Sequence, residues 1–225
     1  MREIWQLDER LWFPPVNQAL DEPNGLLAIG GDLSPERLKL AYRQGIFPWF
    51  SEGEPLLWWS PAPRMVLFPE QVKVSRSLNK RLKRHDFQVT YNQCFDQVIH
   101  FCAALRQQQE GTWITQEMTL AYQKLHQQGV AHSVEAWQDG ELVGGLYGLA
   151  LGRVFFGESM FSKVADASKV ALVTLAQHLE ALNFLVIDCQ VYSAHLASLG
   201  AKEIDRDEFL NLLEQGVKGD EQCFR

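Results

Sequence analysis

Two polar residues interrupt an apolar segment near position 188. Asp188 and Gln190 lie within Leu185-Val-Ile-Asp-Cys-Gln-Val191, a pattern that predicts a buried β-strand. Because residues i and i+2 of a strand project from one face, we expect the carboxylate and the amide to lie side by side. A buried carboxylate without partners is costly. Asp188 is therefore either a satisfied structural residue, or a group that binds or deprotonates an amine which the neighbouring amide helps to orient.

A second carboxylate, Glu158, lies among aromatic residues in the segment Phe155-Phe-Gly-Glu-Ser-Met-Phe161. It is either hydrogen-bonded at the end of a strand or part of a polar site, and the aromatic surroundings favour a site. Gly157-Glu158-Ser159 matches the start of a G-x-S-x-G motif. The last glycine is replaced by Phe161 and no strand-to-helix turn is predicted, so the pattern does not indicate a serine hydrolase. His195 and Ser198 follow the Asp188 strand and are interpreted as structural.

Aromatic residues are concentrated in one proline-containing stretch, which includes Phe47-Pro-Trp-Phe50 and Trp58-Trp-Ser-Pro61. Trp113 lies in a separate loop. A single Trp is usually a core residue, but Trp49, Trp59 and Trp113 together are suited to binding a flat ligand. Stacking a nucleic-acid base on an aromatic side chain is worth roughly 1–3 kcal/mol.

A basic segment follows this stretch. Residues 73–85 contain six of the 21 Lys and Arg residues and no acidic residue. If the segment is helical, Arg76, Lys80, Lys83 and Arg84 lie on one side of the helix. The segment is either a solvated helix face or a contact for a phosphate backbone. The overall net charge of −7 argues weakly against a general nucleic-acid binder, but it does not exclude a local basic surface.

Length and composition exclude several classes of protein. A chain of 225 residues has room for one large domain or two small ones. It has no apolar run of the roughly 18–20 residues that span a bilayer, and its first residues do not resemble a secretory signal. The four Cys form no C-x-x-C motif, so neither a zinc site nor a disulfide framework is predicted. We expect a cytoplasmic protein without a metal or cofactor.

The predicted elements divide the chain into two parts. Residues 1–65 form a small irregular N-terminal domain with one helix, capped by Ser34 and followed by the aromatic stretch. Residues 66–225 contain two helices, three strands in a meander, a long helix after Asp166, the Asp188 strand and a last short helix. This order predicts an α+β fold with a central, mostly antiparallel sheet flanked by helices.

The order of these later elements resembles that of the GNAT-like acyltransferases. Members of that group that use coenzyme A bind its pyrophosphate in a glycine-rich turn after the third strand of the meander. Residues 162–168 occupy that position and contain no glycine. Acyl-coenzyme A is therefore not expected to be the donor, although a coenzyme A acetyltransferase stays as an alternative.

Eight motifs occur in order along the chain: GGDLSPERL, GIFPWF, WWSP, GTWIT, GESMFS, SK at 168–169, DCQ and HLASLGA. Together they resemble the bacterial leucyl/phenylalanyl-tRNA–protein transferases, from about residue 13 to about residue 215. The resemblance implies an aminoacyltransferase that moves Leu, Phe or less often Met from aminoacyl-tRNA to an N-terminal Lys or Arg of a protein. Such a product enters the N-end rule degradation pathway.

The resemblance also implies roles for individual residues. The catalytic group would comprise Glu158 near the donor ester, with Asp188 and Gln190 near the acceptor amine. The terminal adenosine would be contacted by Trp49 and Trp113. The aminoacyl pocket would be lined by Leu146, Phe155, Leu172, Leu175, Leu179 and Ile187, and tRNA would be bound by Arg76, Lys80, Arg81, Lys83 and Arg84.

Aminolysis of an activated ester needs neither a metal nor a covalent enzyme intermediate. In this interpretation Asp188 is an orienting group or an indirect base, and Gln190 contacts the attacking nitrogen. An amide is too weak to act alone as a base, and proximity can instead supply most of the rate enhancement. The partners would be Leu-tRNA or Phe-tRNA and the acceptor protein, bound by a monomer. The alternative is a non-catalytic tRNA- or RNA-binding module.

Overall fold

The computed structural model describes residues 3–107, 113–218 and Phe224. Gly111 and Thr112 of the GTWIT motif, and most of the C-terminal tail, lie outside the described residues. Within these ranges the strands are β1 (Trp5–Leu7), β2 (Leu26–Gly30), β3 (Phe47–Pro48), β4 (Leu57–Trp59), β5 (Arg64–Leu67), β6 (Gln88–Tyr91), β7 (Ala131–Gln138), β8 (Glu141–Leu151), β9 (Val154–Ser162), β10 (Val186–Gln190) and β11 (Lys202–Ile204). The helices there are α1 (Pro35–Arg43), α2 (Arg76–Arg84), α3 (Phe95–Gln107), α4 (Gln116–Gln127), α5 (Ala167–Ala181), α6 (Ala194–Ser198) and α7 (Arg206–Gly216).

The larger sheet has seven strands in the order β11-β5-β10-β9-β8-β7-β6. All neighbours are antiparallel except β10 and β9, which are parallel. The predicted meander corresponds to β7, β8 and β9, which alternate between two buried faces. The α+β class and the mostly antiparallel central sheet are therefore confirmed.

The N-terminal part contains a smaller sheet in the order β1-β2-β4-β3, with α1 between β2 and β3. Its strands have only two to five residues, too few to give a visible period in the sequence. This part corresponds to the N-terminal domain that is predicted from the sequence to be irregular. The small sheet ends at Trp59 and the large sheet begins at Arg64, so the predicted boundary at residue 65 falls within the first strand of the large sheet. The division into 1–65 and 66–225 stays a prediction.

Local hydrogen bonds define where several helices begin. The Ser34 side chain accepts a hydrogen bond from the backbone of Arg37, and Thr115 caps α4 in the same way. Asn92 precedes α3, and its side chain is used to attach this segment to the sheet. Its Oδ1 accepts the backbone N–H of Ser133 on β7, and its own φ is 57°.

In the part of the chain that the structure describes, the core consists of two hydrophobic clusters on opposite faces of the large sheet. The first contains the small sheet, α1, α3, α4 and α7, and the second contains α5 and residues of α2. Neighbouring residues of β9 show the division, because Phe156 belongs to the first cluster and Phe155 to the second. The first cluster thus runs without a break through both proposed domains. No helix of the described residues is long and apolar enough to cross a membrane.

Candidate active site

A cavity of about 530 Å³ opens beside the parallel strands β9 and β10. These strands pair over only three residues each, 154–156 with 186–188. Beyond this point β9 continues along β8, and β10 continues along β5. The cavity is lined by Gly157 and Glu158 on one strand and by Cys189 and Gln190 on the other, so it lies where the two strands separate. Its volume lies in the range of about 300–1,000 Å³ that is usual for small-molecule sites.

One part of the cavity is apolar. Five of the six residues assigned to an aminoacyl pocket contribute to its wall: Leu146, Phe155, Leu172, Leu175 and Ile187. The sixth, Leu179, is fully buried in the second cluster and does not line the cavity. Met160, which the sequence did not single out, adds a flexible thioether side chain to the wall.

Two tryptophans form the aromatic part of the wall. Trp49 is 42% exposed, and its ring lies 6.2 Å from that of Trp113 at an angle of 83°. Trp59 supports Trp49, since its Nε1 donates to the Trp49 carbonyl at 2.7 Å. Trp58 is fully buried, and its Nε1 donates to the carbonyl of Gly30. The cavity therefore has a flat aromatic face next to its apolar part, and Trp58 packs inside the N-terminal part.

Among the described residues that line the cavity, only Glu158 is acidic. It is only 8% exposed. The β8–β9 pairing passes from Tyr147↔Ser159 to Gly148↔Gly157 and thus skips Glu158, which occupies a bulge. Bulges often re-aim a side chain near active sites.

Three donors hold this carboxylate. The hydroxyls of Tyr42 and Tyr122 donate to its two oxygens at 2.7 and 3.0 Å, and Nε2 of Gln190 donates at 2.8 Å. The two tyrosine hydroxyls also contact each other. These side chains come from α1, α4 and β10, so the hydrogen-bond donors of Glu158 are supplied by distant parts of the chain.

Burial raises the pKa of Glu158 from its ordinary value of 4.5 to about 7. The hydrogen bonds from Tyr42, Tyr122 and Gln190 act against this increase, and the negative charge of Asp188 adds to it. Burial and the Glu158 charge raise the pKa of both tyrosines well above the usual value. Both hydroxyls therefore stay protonated donors, while Glu158 titrates in the neutral range.

Asp188 and Gln190 do not form the adjacent pair expected of a regular strand. The β10–β5 register shifts between Asp188 and Gln190, and Gln190 has a φ of 65°. Asp188 is fully buried, does not line the cavity and binds both nitrogens of the Arg64 fork. Only Gln190 reaches the cavity. Because its carboxylate is enclosed, Asp188 does not line the cavity, which corrects the expectation that it lies side by side with Gln190 on one face of a regular strand.

The basic segment forms α2, with Ser75 as its cap. Arg76, Lys80, Lys83 and Arg84 are exposed, and none of these four forms an ion pair with another described residue. Arg81 is different. It pairs with Asp166, contacts the carbonyl of Ala165 and lies over the ring of Phe87. The helix thus presents four solvent-facing cations, and Arg81 attaches it to the turn before α5.

Besides Met160, the residues Tyr42, Tyr122, Arg64 and His195 were not assigned to this region from the sequence. In the sequence the two tyrosines recur with the apolar residues of α1 and α4, and the signal that could have found them is that a buried tyrosine hydroxyl usually needs a partner. His195 was interpreted as structural, but it lines the cavity, and burial and the charge of Lys169 lower its pKa. Ser198 instead donates to the carbonyl of His195. Among the described residues no group of three His, Cys, Asp or Glu is arranged to hold a metal ion.

Comparison with known proteins gives matches along most of the chain. A family model described as leucyl/phenylalanyl-tRNA protein transferase matches residues 66–214, and a model of the N-terminal domain of the same proteins matches residues 31–62. The transferase of this name from Nitrosomonas eutropha is 64% identical over 201 residues, which cover 89% of this chain and 86% of the relative.

The protein of the same name from Nitrosospira multiformis is 59% identical over 216 residues, covering 94% and 93% of the two chains. Among solved structures, an aminoglycoside acetyltransferase from an uncultured soil sample is 14% identical. It covers 60% of this chain and 90% of its own, with a TM-score of 0.39.

Proposed function

The chain belongs to the leucyl/phenylalanyl-tRNA–protein transferase family and is an aminoacyltransferase, and we propose that it transfers Leu, Phe and less often Met from aminoacyl-tRNA to proteins that begin with Lys or Arg. The observation that carries this proposal is the joining of an apolar compartment, two tryptophans and the Glu158–Gln190 pair in one cavity. We place the reaction in the cytoplasm and its product in the N-end rule pathway.

The apolar compartment accommodates the side chain of the donor amino acid. Its wall residues, Leu146, Phe155, Leu172, Leu175 and Ile187, offer no hydrogen-bonding side chain. A polar or charged donor side chain would lose its hydration there without compensation. Apolar pockets distinguish ligands by only about 1–3 kcal/mol per methylene, so a preference shared between Leu and Phe is physically reasonable.

The aromatic part and helix α2 suit the tRNA end of the donor. Trp49 and Trp113 lie beside the apolar compartment, and either ring offers a face on which the terminal adenosine of an aminoacyl ester can stack. Arg76, Lys80, Lys83 and Arg84 provide the positive charge for the acceptor-stem phosphates. Because Arg81 is bound to Asp166, we assign it the role of fixing α2 rather than a direct phosphate contact.

The bond changes follow from the chemistry of an ester. The acceptor nitrogen attacks the ester carbonyl carbon, a C–N bond forms, and the C–O bond to the ribose breaks. The amine loses one proton and the ribose oxygen gains one. Holding the two reactants together in this cavity removes much of the entropic barrier.

Glu158 and Gln190 have different roles towards the acceptor amine. Because Nε2 of Gln190 donates to Glu158, its Oε1 is left to accept an N–H of the attacking amine. Glu158 lies next to it, and its pKa of about 7 is matched to proton transfer near neutral pH. We propose Gln190 as the group that orients the nitrogen and Glu158 as the group that accepts its proton.

The turn between β9 and α5 argues against coenzyme A as the donor. Two of its backbone N–H groups are used internally, since Ala167 donates to the Val164 carbonyl and Ser168 to the Ser162 hydroxyl. Arg81 occupies the Ala165 carbonyl on the same turn. A pyrophosphate would have to displace these contacts, whereas the turns that bind phosphates leave their N–H groups free.

A direct transfer assay tests the proposal. Leucyl-tRNA with a labelled amino acid is incubated with the protein and a peptide that begins with Arg, and the matched control peptide begins with Ala. We expect label only in the first peptide. Equal labelling of both peptides would contradict the acceptor assignment. Binding of tRNA without any transfer would instead favour a non-catalytic tRNA-binding module, which the basic face of α2 also fits.

A further inference from the structure

Arg64 and Asp188 form a pair that is closed off from solvent. Arg64 is 1% exposed and Asp188 is 0% exposed. Nε and Nη2 of the guanidinium donate to Oδ1 and Oδ2 of the carboxylate at 2.8 and 2.7 Å. Two parallel hydrogen bonds of this kind fix the orientation of both groups as well as neutralising their charges.

Three further residues, from two other segments, contact the Arg64 side chain. Its Nη1 donates to the carbonyl of Gly45 at 3.1 Å. The guanidinium carbon lies 4.8 Å from the ring centre of Phe47 and 4.6 Å from that of Phe209. The charged group is therefore held by residues that follow α1 and by α7, and it has little freedom to move with its partner.

The same carboxylate is hydrogen-bonded to the backbone of Gln190. Asp188 Oδ1 accepts the Gln190 backbone N–H at 2.9 Å in addition to the Arg64 Nε–H. Gln190 has a φ of 65°, a left-handed conformation that residues other than Gly rarely adopt. From this backbone its side chain reaches Glu158. A continuous set of contacts thus connects Arg64 to the cavity without Arg64 touching it.

We infer that Arg64 is a positioning residue for the transfer reaction. It holds Asp188, Asp188 holds the bulge at residues 188–190, and the bulge presents the Gln190 amide to the acceptor amine. Asp188 stays paired with Arg64 through the reaction and does not receive the proton of the amine. This inference rests on the proposed function, because the positioned group acts in the proposed transfer.

Arg64→Lys provides the first test, with Arg37→Lys as the matched control. Arg37 is also fully buried, and it pairs with Asp32 and the Asp8 carbonyl, away from the residues that line the cavity. Lysine keeps the charge but cannot reproduce the two-pronged contact. We expect kcat of R64K to fall by about tenfold to a hundredfold, since small misplacements have effects of this size. The KM for leucyl-tRNA should stay within about twofold, as expected for an interaction important mainly in the transition state.

In R37K, kcat per folded molecule should match that of the original protein. Both variants are assayed below their thermal unfolding transitions. An unchanged kcat in R64K, or an equal loss in R37K, would overturn the role given to Arg64. A parent protein that transfers no leucine to an Arg-peptide would contradict the proposed function itself, which separates the two outcomes.

A rescue experiment distinguishes a positioning role of the Arg64–Asp188 pair from proton acceptance by Asp188. It also tests the inference if R64K does not fold. Arg64→Met leaves Asp188 buried without a counter-ion, whereas R64M/D188N removes both charges and keeps an oxygen that can accept the Gln190 N–H. We expect the double variant to be at least about tenfold more active than R64M, a coupling of the size seen between contacting residues. If Asp188 accepts the proton, the double variant will be no more active than R64M, and the inference fails.

Discussion

Tyr42 donates a hydrogen bond to Glu158 at 2.7 Å, although 116 positions of sequence separate the two residues. Tyr42 lies on α1 of the N-terminal part, whereas Glu158 lies in the bulge of the central sheet. The N-terminal part therefore supplies a donor to the carboxylate in the cavity.

Replacing the tyrosine hydroxyl should change the pH dependence of transfer. The Tyr42 and Tyr122 hydrogen bonds both lower the pKa of Glu158 and thus oppose the effect of burial. In Tyr42→Phe or Tyr122→Phe the pKa of Glu158 rises further. As the pH is lowered, a reaction that needs ionised Glu158 therefore begins to lose activity at a higher pH than in the original protein. We expect the acidic limb of kcat/KM for an Arg-peptide to move towards alkaline pH.

Besides burial, four residues affect the pKa of Glu158: Tyr42, Tyr122 and Gln190 lower it, and Asp188 raises it. Tyr91→Phe is the control, since its hydroxyl donates to the Thr174 carbonyl and not to Glu158. A limb that stays in place in both Tyr42→Phe and Tyr122→Phe would show that Glu158 does not control the reaction.

Removal of the carboxylate itself should have a larger effect. Glu158→Gln keeps the size of the side chain but cannot accept a proton in the neutral range. We expect kcat to fall by roughly 10²–10⁴-fold, the usual contribution of general acid–base catalysis. Binding of leucyl-tRNA, measured by filter retention, should change little. A loss of less than fivefold in kcat would assign the reaction to proximity alone.

The stability of the protein should depend on pH through the same residue. The pKa of Glu158 is about 7 in the folded protein and near its ordinary value of 4.5 when unfolded. Between these values the folded state binds more protons, so the free energy of unfolding decreases as the pH rises from 4.5 to about 7.

The decrease due to Glu158 is on the order of 3 kcal/mol, since one pKa unit corresponds to about 1.4 kcal/mol. Urea unfolding at pH 5 and at pH 8 measures it, with Glu158→Gln as the reference that lacks this titration. If the two proteins show the same difference between the two pH values, the carboxyl does not titrate as described.

The apolar compartment should control which amino acid is transferred. Leu175 lines the cavity from α5, and Leu175→Phe reduces the space for the donor side chain. We expect kcat/KM for phenylalanyl-tRNA to fall relative to leucyl-tRNA by roughly 10-fold or more, in line with pocket discrimination of about 1–3 kcal/mol. Leu179→Met is the control, because Leu179 lies one turn further along α5 and outside the cavity wall. A ratio changed equally by both variants would contradict this assignment.

Charge reversal on α2 should weaken tRNA binding without altering the chemistry. Arg76→Glu with Lys80→Glu removes two exposed cations, and each lost phosphate contact reduces the salt slope of binding by about one. The matched double reversal, Lys39→Glu with Lys124→Glu, changes the net charge equally but on α1 and α4. Equal weakening by the two double variants would indicate a general charge effect rather than a contact on α2.

Much of the fold follows from periodic patterns in the sequence. The alternation along β7, β8 and β9 predicted the meander, and the leucines of α5 predicted the helix that covers it. Alternation along β8, β9 and β10 likewise places Leu146, Phe155 and Ile187 in the cluster on one face of the sheet. These features depend on the local arrangement of neighbouring side chains, which a single sequence displays.

The polar part of the site depends on features that a single sequence does not display. The bulges at Glu158 and near Cys189 change the direction of side chains without a marker in residue type. The partner of Asp188 is Arg64, 124 positions away, in a strand too short to show a period. A regular strand was therefore the natural expectation, and it gave Asp188 a place beside the ligand that the ion pair with Arg64 instead encloses.

The continuity of the first hydrophobic cluster through both parts of the chain limits how these parts can be exchanged among relatives. A segment beginning at residue 66 would lack both the Tyr42 hydroxyl and the Arg64 guanidinium. Its Glu158 would lose one of its donors, and its Asp188 would be buried without a counter-charge. An N-terminal segment taken from another protein could restore the enzyme only if it brought a tyrosine and an arginine to these two positions. The two parts are thus expected to be inherited as one unit rather than as interchangeable modules.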